Sequence, residues 1–214
     1  MRKTVNAPRP YDARERRARA EHRQDLILDA AWNLFLAGGY GPTTVAGIAG
    51  QAGVSAETVY KGFGGKAGLV RAIYGRSLLG RGPDPAEHRS DVLQAEETDA
   101  GALLRQFGVF VTEVAPLVVP VLLLIRDAAA GGDKDMAALL AEVEATRLER
   151  MTHNAATLVD RGLLAPGLTT AFAADVMWTY TAPGMYENLV IKRGWERGEY
   201  GRFIGNALAA ALLE

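Results

Sequence analysis

Cysteine is absent from all 214 residues. That excludes a disulfide framework, thiolate zinc sites and a cysteine nucleophile together, and it fits a reducing interior. Histidine is nearly absent: His22, His88 and His153 are dispersed, with no spacing that would hold a metal. Sustained apolar–polar alternation is missing, so no strand is expected and the fold class reads as all-α. No apolar run follows the basic start, so a secretory signal is not expected. The longest apolar stretch, Val114 to Ile125, contains Pro116 and Pro120 and is too short to span a bilayer. The chain is therefore expected to be soluble and cytoplasmic, with no membrane partner. Catalytic signatures are missing too. There is no G-x-S-x-G elbow and no dinucleotide fingerprint after a strand. Gly62 to Lys66 has a superficial likeness to a phosphate loop, yet its glycine spacing is wrong and Ala67 stands where Ser or Thr is needed. The expectation is a protein that is not an enzyme, with no cofactor and no metal.

What is present is a sizeable apolar content and an uneven distribution of charge. Hydrophobic residues make up 49%, enough for a real core. The net charge of -1 hides two opposed halves. Met1 to Arg81 holds 13 Lys and Arg against 6 Asp and Glu, a balance of +7, whereas Gly82 to Glu214 holds 11 against 19, a balance of -8. A basic N-terminal part joined to an acidic remainder implies one surface that meets a polyanion and one that does not.

The most informative stretch is Thr43 to Leu69, TTVAGIAGQAGVSAETVYKGFGGKAGL. Thr43 or Thr44 can cap a short helix, because a hydroxyl accepts from an otherwise unpaired backbone N–H. Val45, Ile48, Ala49 and Ala52 follow at helical spacing. Gly53 supplies the left-handed residue that ends the helix. Val54 plugs the corner, Ser55 can cap a second helix from Ala56 to Lys61, and Val59 faces inward. Two short helices joined by a three-to-four-residue turn with glycine form a helix-turn-helix, whose second helix can lie in a DNA major groove.

These residues carry a resemblance. Arg23 to Leu79 resembles the DNA-binding domain of the TetR family of bacterial transcriptional regulators, through Phe35, Gly39 and Tyr40; Thr43 and Thr44; Ile48 and Ala49; Ala52, Gly53, Val54 and Ser55; Thr58 and Tyr60; and Phe63 and Lys66. It covers about a quarter of the chain. Two positions depart from the family pattern: Gly62, where a polar residue often precedes the phenylalanine, and Ala67, where glutamate often follows the lysine. Gly62 offers phosphate no side chain.

The expected organisation is a basic arm over residues 1–20, a helix-turn-helix DNA-binding domain over 21–80, and a helical effector-binding and dimerisation domain over 81–214. Pro8 and Pro10 should keep the start of the arm extended. The first helix is expected from about Ala20 to Ala37, burying Leu26, Ile27, Ala30, Ala31, Leu34 and Phe35. For DNA, Arg19 and Arg23 are candidates for phosphate or minor-groove contact. Ser55, Ala56, Glu57, Thr58, Tyr60 and Lys61 form the reading helix and its start. Thr58 can touch a thymine methyl, while Glu57 can accept from cytosine or simply sit at the positive helix end, the reading preferred here. Thr44 can turn its hydroxyl and amide toward phosphate. The resemblance implies phosphate contacts for Tyr60 and Lys66, with packing on the first helix as the alternative for Tyr60.

Beyond Leu79, Gly80 to Asp99 reads as a connection with a short helical piece from Pro85 to Gln94. Helices are expected near Ala100–Thr112, Pro116–Ala130, Lys134–Arg161, Thr169–Val190 (kinked at Pro183-Gly184) and Gly198–Leu213. In TetR-like regulators this part dimerises and binds a small effector. The last two helices are strongly apolar and rich in alanine, and the resemblance implies a homodimer through them; monomer core is the other reading. Candidate effector contacts are Phe107, Phe110, Arg126, Met151, His153, Asn154, Trp178 and Tyr180, for a mostly apolar or aromatic ligand. The function expected is a ligand-responsive regulator bound to a double-stranded DNA operator, with a repressor preferred over an activator or an effector-independent DNA binder. A helical enzyme is the more distant rival.

Overall fold

A computed structural model describes residues 10–80 and 84–213. Arg2, Lys3, Pro8 and Arg9 of the expected arm lie outside the described residues. Among those described the chain is helical, with no strand. It divides into two compact units, Met1–Ala72 and Ile73–Glu214.

In the smaller unit, α1 spans Pro10–Gly38. It begins ten residues before the sequence suggested, so Pro10 to Ala20 is helical rather than an extended arm. Proline is well suited to a first helical turn, where its missing N–H has no partner to lose. Exposed i,i+4 pairs then line this basic helical segment, Arg19–Glu15 at 2.6 Å and Arg17–Glu21 at 2.9 Å. The buried stripe is Ile27, Leu28, Ala30, Ala31 and Phe35; Leu26, expected inside, is exposed and Leu28 takes its place. Gly39 ends the helix at φ 78°, its N–H reaching Phe35 O at 2.9 Å.

The two threonines that follow divide the work between them. Thr43 is buried and its hydroxyl donates to Gly39 O at 2.7 Å, bracing the loop. Thr44 is the cap, accepting from Gly47 N–H at 3.0 Å at the start of α2, Val45–Ala52. Gly53 sits at φ 68° with its N–H turned back on α2, and Val54 N–H bonds Ala49 O at 3.0 Å. Ser55 then caps α3, Ala56–Phe63, accepting from Thr58 N–H at 3.2 Å. Thr44→Ala or Ser55→Ala should each cost about 1 kcal/mol, read as a lower denaturant midpoint for the smaller unit, and Ser55→Asp should retain the cap. An unchanged midpoint in both alanine variants would contradict this account of the turn.

α4 spans Lys66–Leu78 and crosses the division between the units. The larger unit continues with α5, Ala86–Glu96; α6, Ala100–Ala130; α7, Lys134–Asp160; α8, Thr170–Tyr180; α9, Pro183–Tyr186; a π-helical segment, Glu187–Lys192; and α10, Arg197–Leu213. Asp99, Asp133 and Thr169 cap α6, α7 and α8 through their side-chain oxygens. The core is built by α6, α7, α8 and α10, with Leu104, Ala155, Met177, Ile204 and Leu208 fully enclosed.

Two sequence expectations are corrected here. α6 is one 31-residue helix that runs through Pro116 and Pro120 instead of breaking before Pro116. Each proline removes one backbone hydrogen bond. Eleven buried residues spread from Leu103 to Ile125 hold the helix on its neighbours and outweigh that loss. By length and composition α6 is therefore long and apolar enough to cross a membrane, and the inference from a short apolar stretch does not stand; its inward face packs in the helical core. The helix expected over Thr169–Val190 is not merely kinked. It ends at Tyr180, and Pro183 starts a new turn at the first helical position.

The π-helical segment carries an ion cluster. Glu187 accepts from Arg126 of α6 at 2.6 Å and pairs with Lys192 at 3.0 Å. These partners, Arg126 foremost, hold its carboxyl at about 2, below the usual 4.5. A depressed folded value stabilises fully above the unfolded one, so this contribution is complete above pH about 4.5 and is lost as pH falls toward about 2. Acid unfolding of Glu187→Gln should be less steep over that window than wild type; superimposable curves would contradict the cluster's role.

Candidate nucleic-acid interface and ligand cavity

The α2–turn–α3 unit is anchored from one side. Val59 is fully buried, and α3 packs on α2, whose Ile48 and Ala49 are buried as well. Because Val59 takes the inward face, Glu57, Tyr60 and Lys61 are exposed, Ala56 and Thr58 are half-buried, and Ser55 is exposed at the helix start. Tyr60 is 56% exposed. Thr58 has its hydroxyl 2.9 Å from Ser55 Oγ, within the cap. Glu57 occupies the first turn of α3, where negative charge meets the positive helix end. Gly62 is exposed on the same short helix.

Arg23 of α1 borders one depression together with Gln24, Thr58, Lys61 and Gly62. A cation on α1 thus stands beside the outward face of α3, which sequence spacing alone could not give. Arg19 lies one turn earlier, exposed and paired with Glu15. Such exposed pairs hold their partners weakly, so phosphate can compete for that guanidinium.

Lys66 is placed differently from the others. Its ammonium donates to Tyr40 O at 2.8 Å and Gly41 O at 3.3 Å and lies 4.2 Å from the centre of the Tyr40 ring. Tyr40 in turn stacks on Phe35, centroids 5.8 Å apart. Lys66 therefore ties the start of α4 to the loop before α2, a bracing task the sequence did not suggest, and one of its three donors is left over for an anion.

The larger unit holds a cavity of about 160 Å³. Apolar side chains of α6 are the largest contribution to its wall, including Phe107, Phe110, Val118 and Leu122, and α7 contributes Met151 and Asn154. Tyr74 and Leu78, from the C-terminal part of α4, line it as well. Burial pushes the Tyr74 hydroxyl up to about 12, so it stays protonated at neutral pH. Of the eight residues expected at an effector site, Phe107, Phe110, Met151 and Asn154 come together here.

The other four lie outside this lining, each for an identifiable reason. Arg126 is held by Glu187 and Asp127. His153 is exposed and faces Asp91 at 3.3 Å. Trp178 lies under the guanidinium of Arg147, 5.7 Å from its ring centre. Tyr180 packs against the helical core. Sequence reading missed Tyr74, Ser90, Arg147 and Arg150, all on the lining. Ser90 was the hardest to see, because the buried face of α5 is Ala86, Ser90 and Gln94, an i, i+4, i+8 stripe with little hydrophobic signal. Among the described residues no group of three or more His, Asp or Glu is placed to hold a metal.

The matching family model falls in the smaller unit. Residues 27–73 match the family model described as bacterial regulatory proteins, tetR family. A curated relative, the uncharacterized HTH-type transcriptional regulator YvkB of Bacillus subtilis (strain 168), is 43% identical over 56 residues. That stretch is 26% of this chain and 30% of the relative, so the chain spans well under two thirds of its length. Among solved structures the fold is similar to that of SmeT in its triclosan complex, with a TM-score of 0.71 and 20% identity, covering 90% of this chain and 92% of the other. It is also similar to the transcriptional regulator FadR of Bacillus subtilis in complex with stearoyl-CoA, with a TM-score of 0.66 and 16% identity over 87% of this chain and 97% of the other. These two likenesses show the all-α fold.

Proposed function

We propose that the chain, whose residues 27–73 match the family model of bacterial regulatory proteins of the tetR family, is a DNA-binding transcriptional regulator of that family: a cytoplasmic, homodimeric repressor released from its operator by a small, largely apolar effector. The observation that carries the reading is the capped helix α3, whose inward face is spent on Val59 and whose outward face presents Glu57, Tyr60 and Lys61. Ala56 to Lys61 enters the major groove of one half-site, with Ser55 and Thr58 at the helix start nearest the base edges. Thr44, Tyr60, Lys61 and Lys66, with Arg19 and Arg23 of α1, meet phosphates and set register. The basic balance of this part of the chain supplies the sequence-independent attraction.

Dimerisation is supported by apolar side chains that a single chain leaves outside. Phe172 on α8 is 49% exposed and Ile191 on the π-helical segment is 54% exposed, although Met177 of α8 and Ile204, Leu208 and Leu212 of α10 serve the monomer core. A two-fold dimer suits paired half-sites. The cavity supports an effector, as do the ligands seen in the SmeT and FadR structures, triclosan and stearoyl-CoA. Effector binding favours a subunit arrangement whose two reading helices no longer fit the operator, and its leverage equals its differential affinity for the two arrangements. Deleting the chain in its host should raise transcription of genes adjoining its bound sites. A fall at those genes would make it an activator.

A further inference from the structure

Ser90 and Asn154 both line the cavity, both are almost fully enclosed, at 2% and 1% exposure, and each leaves a polar atom with no partner: Ser90 Oγ and Asn154 Nδ2. Buried polar groups are nearly always hydrogen-bonded, because leaving one unmade costs about 1–3 kcal/mol. The orientation of the Asn154 amide follows from its neighbour. Gln94 Nε2 donates to Ser90 O at 3.3 Å and to Asn154 Oδ1 at 3.0 Å. Turning Gln94 over would face its carbonyl oxygen toward Ser90 O, so the Asn154 oxygen is the committed end and its NH2 is the end left without a partner.

The rest of the lining bounds the ligand's charge and size. The two cations on the wall are already engaged: Arg147 by Glu144 at 2.5 Å and by Thr181 O at 3.1 Å, and Arg150 by Asp91 at 2.5 Å. A carboxylate brought inside would thus be desolvated and would have to share a cation that already faces Glu144 or Asp91. Glu87, the remaining carboxylate on the lining, is exposed to solvent and poorly placed to compensate an enclosed cation. A volume of about 160 Å³ is on the scale that holds a single aromatic ring.

We infer that the effector is a neutral molecule with an apolar body of about one aromatic ring and one hydrogen-bond-accepting oxygen, which seats between Asn154 Nδ2 and Ser90 Oγ. This rests on the effector reading above. The apolar body lies along Phe107, Val118 and Leu122 of α6, and the oxygen fills the only polar end formed by enclosed, unpartnered side chains of the described lining.

The test is isothermal titration calorimetry of the full chain with acetophenone, ethylbenzene and benzoate, on wild type, Asn154→Leu and Ser90→Ala. Wild type should bind acetophenone about tenfold more tightly than ethylbenzene, the worth of roughly one buried hydrogen bond, and benzoate most weakly. The preference should fall below about twofold in Asn154→Leu and shrink to about threefold in Ser90→Ala. Ethylbenzene binding as tightly as acetophenone to wild type, a preference intact in both variants, or benzoate binding best would overturn the inference while leaving the cavity a ligand site. Failure of all three probes to bind wild type would remove the cavity as an effector site, and the proposed release mechanism with it. Should Asn154→Leu fail to fold, the wild-type ranking and Ser90→Ala decide the matter.

Discussion

Tyr60→Ala combined with Lys61→Ala should weaken binding to a specific duplex by about a hundredfold, with the thermal midpoint nearly unchanged. Each lost contact to a charged phosphate is worth roughly 1.5 kcal/mol, about tenfold in affinity. Stability should survive because neither side chain holds α3 in place: both are exposed, and the helix is fixed by buried Val59, the Ser55 cap and the left-handed Gly64 at its end. Lys61 also fixes a second readout. Removing one phosphate cation should lower the slope of log affinity against log salt by about 1. Fluorescence anisotropy over a salt series measures both quantities. A loss of less than about threefold would mean that α3 does not face the duplex. Lys66 is a poorer choice for this experiment, because its ammonium braces Tyr40 and Gly41 and its loss would mix folding with binding.

Gly108→Ala should destabilise the larger unit by about 3 kcal/mol or more, the upper end for overpacking, and lower its midpoint by roughly 6–12 °C. The reason is a backbone crossing between α6 and α10. A Cβ at Gly108 would lie 2.2 Å from Gly201 O and 2.8 Å from Gly205 N. The converse holds: a Cβ at Gly201 would lie 2.7 Å from Gly108 O and 2.3 Å from Thr112 Cγ2. The obstructing atoms are mostly backbone, so no rotamer change relieves the clash; the helices must separate. Separation would loosen Tyr200, Ile204 and Leu208, which are wholly enclosed at that seam. Gly198→Ala is the control, since its Cβ would meet nothing closer than Arg202 Nη1 at 3.6 Å. Circular dichroism melts of the two variants decide the point. Equal midpoints would contradict the crossing.

How much of this was legible in the sequence follows the range of the forces involved. Caps and glycine corners are local, so Thr44, Gly53, Ser55, the bounds of α2 and the start of α3 could be read from neighbours a few residues apart. Val59 could be placed inward from spacing alone. Pro116 and Pro120 misled because local chemistry says stop, while packing over a 31-residue helix says continue. Pro10 misled in the other direction, starting a helix where an extended arm was expected. The Gly108–Gly201–Gly205 seam joins residues some ninety positions apart, and nothing near any one of them marks the partner. The last two helices stand out in the sequence for their alanines, yet the close backbone approach between α6 and α10 is made at glycines.

The cavity was half legible for a related reason. Phe107, Phe110 and Met151 announce themselves as apolar, and Asn154 as a polar residue on a long helix. Ser90 and Gln94 look like solvent-facing positions of a polar linker, and only burial shows them to be interior. Arg126 and His153 drew notice as polar handles, but long-range carboxylates, Glu187 and Asp91, engage them elsewhere.

The central claim is that α3 reads duplex DNA as one of a symmetric pair. Selection of bound sequences from a random duplex library by the purified chain tests it most directly. The account predicts enrichment of two inverted half-sites, centres about one helical turn or a multiple of it apart, held by a complex that weakens steeply with salt. Recovery of no enriched sequence, with no duplex retained even at low salt, would contradict it.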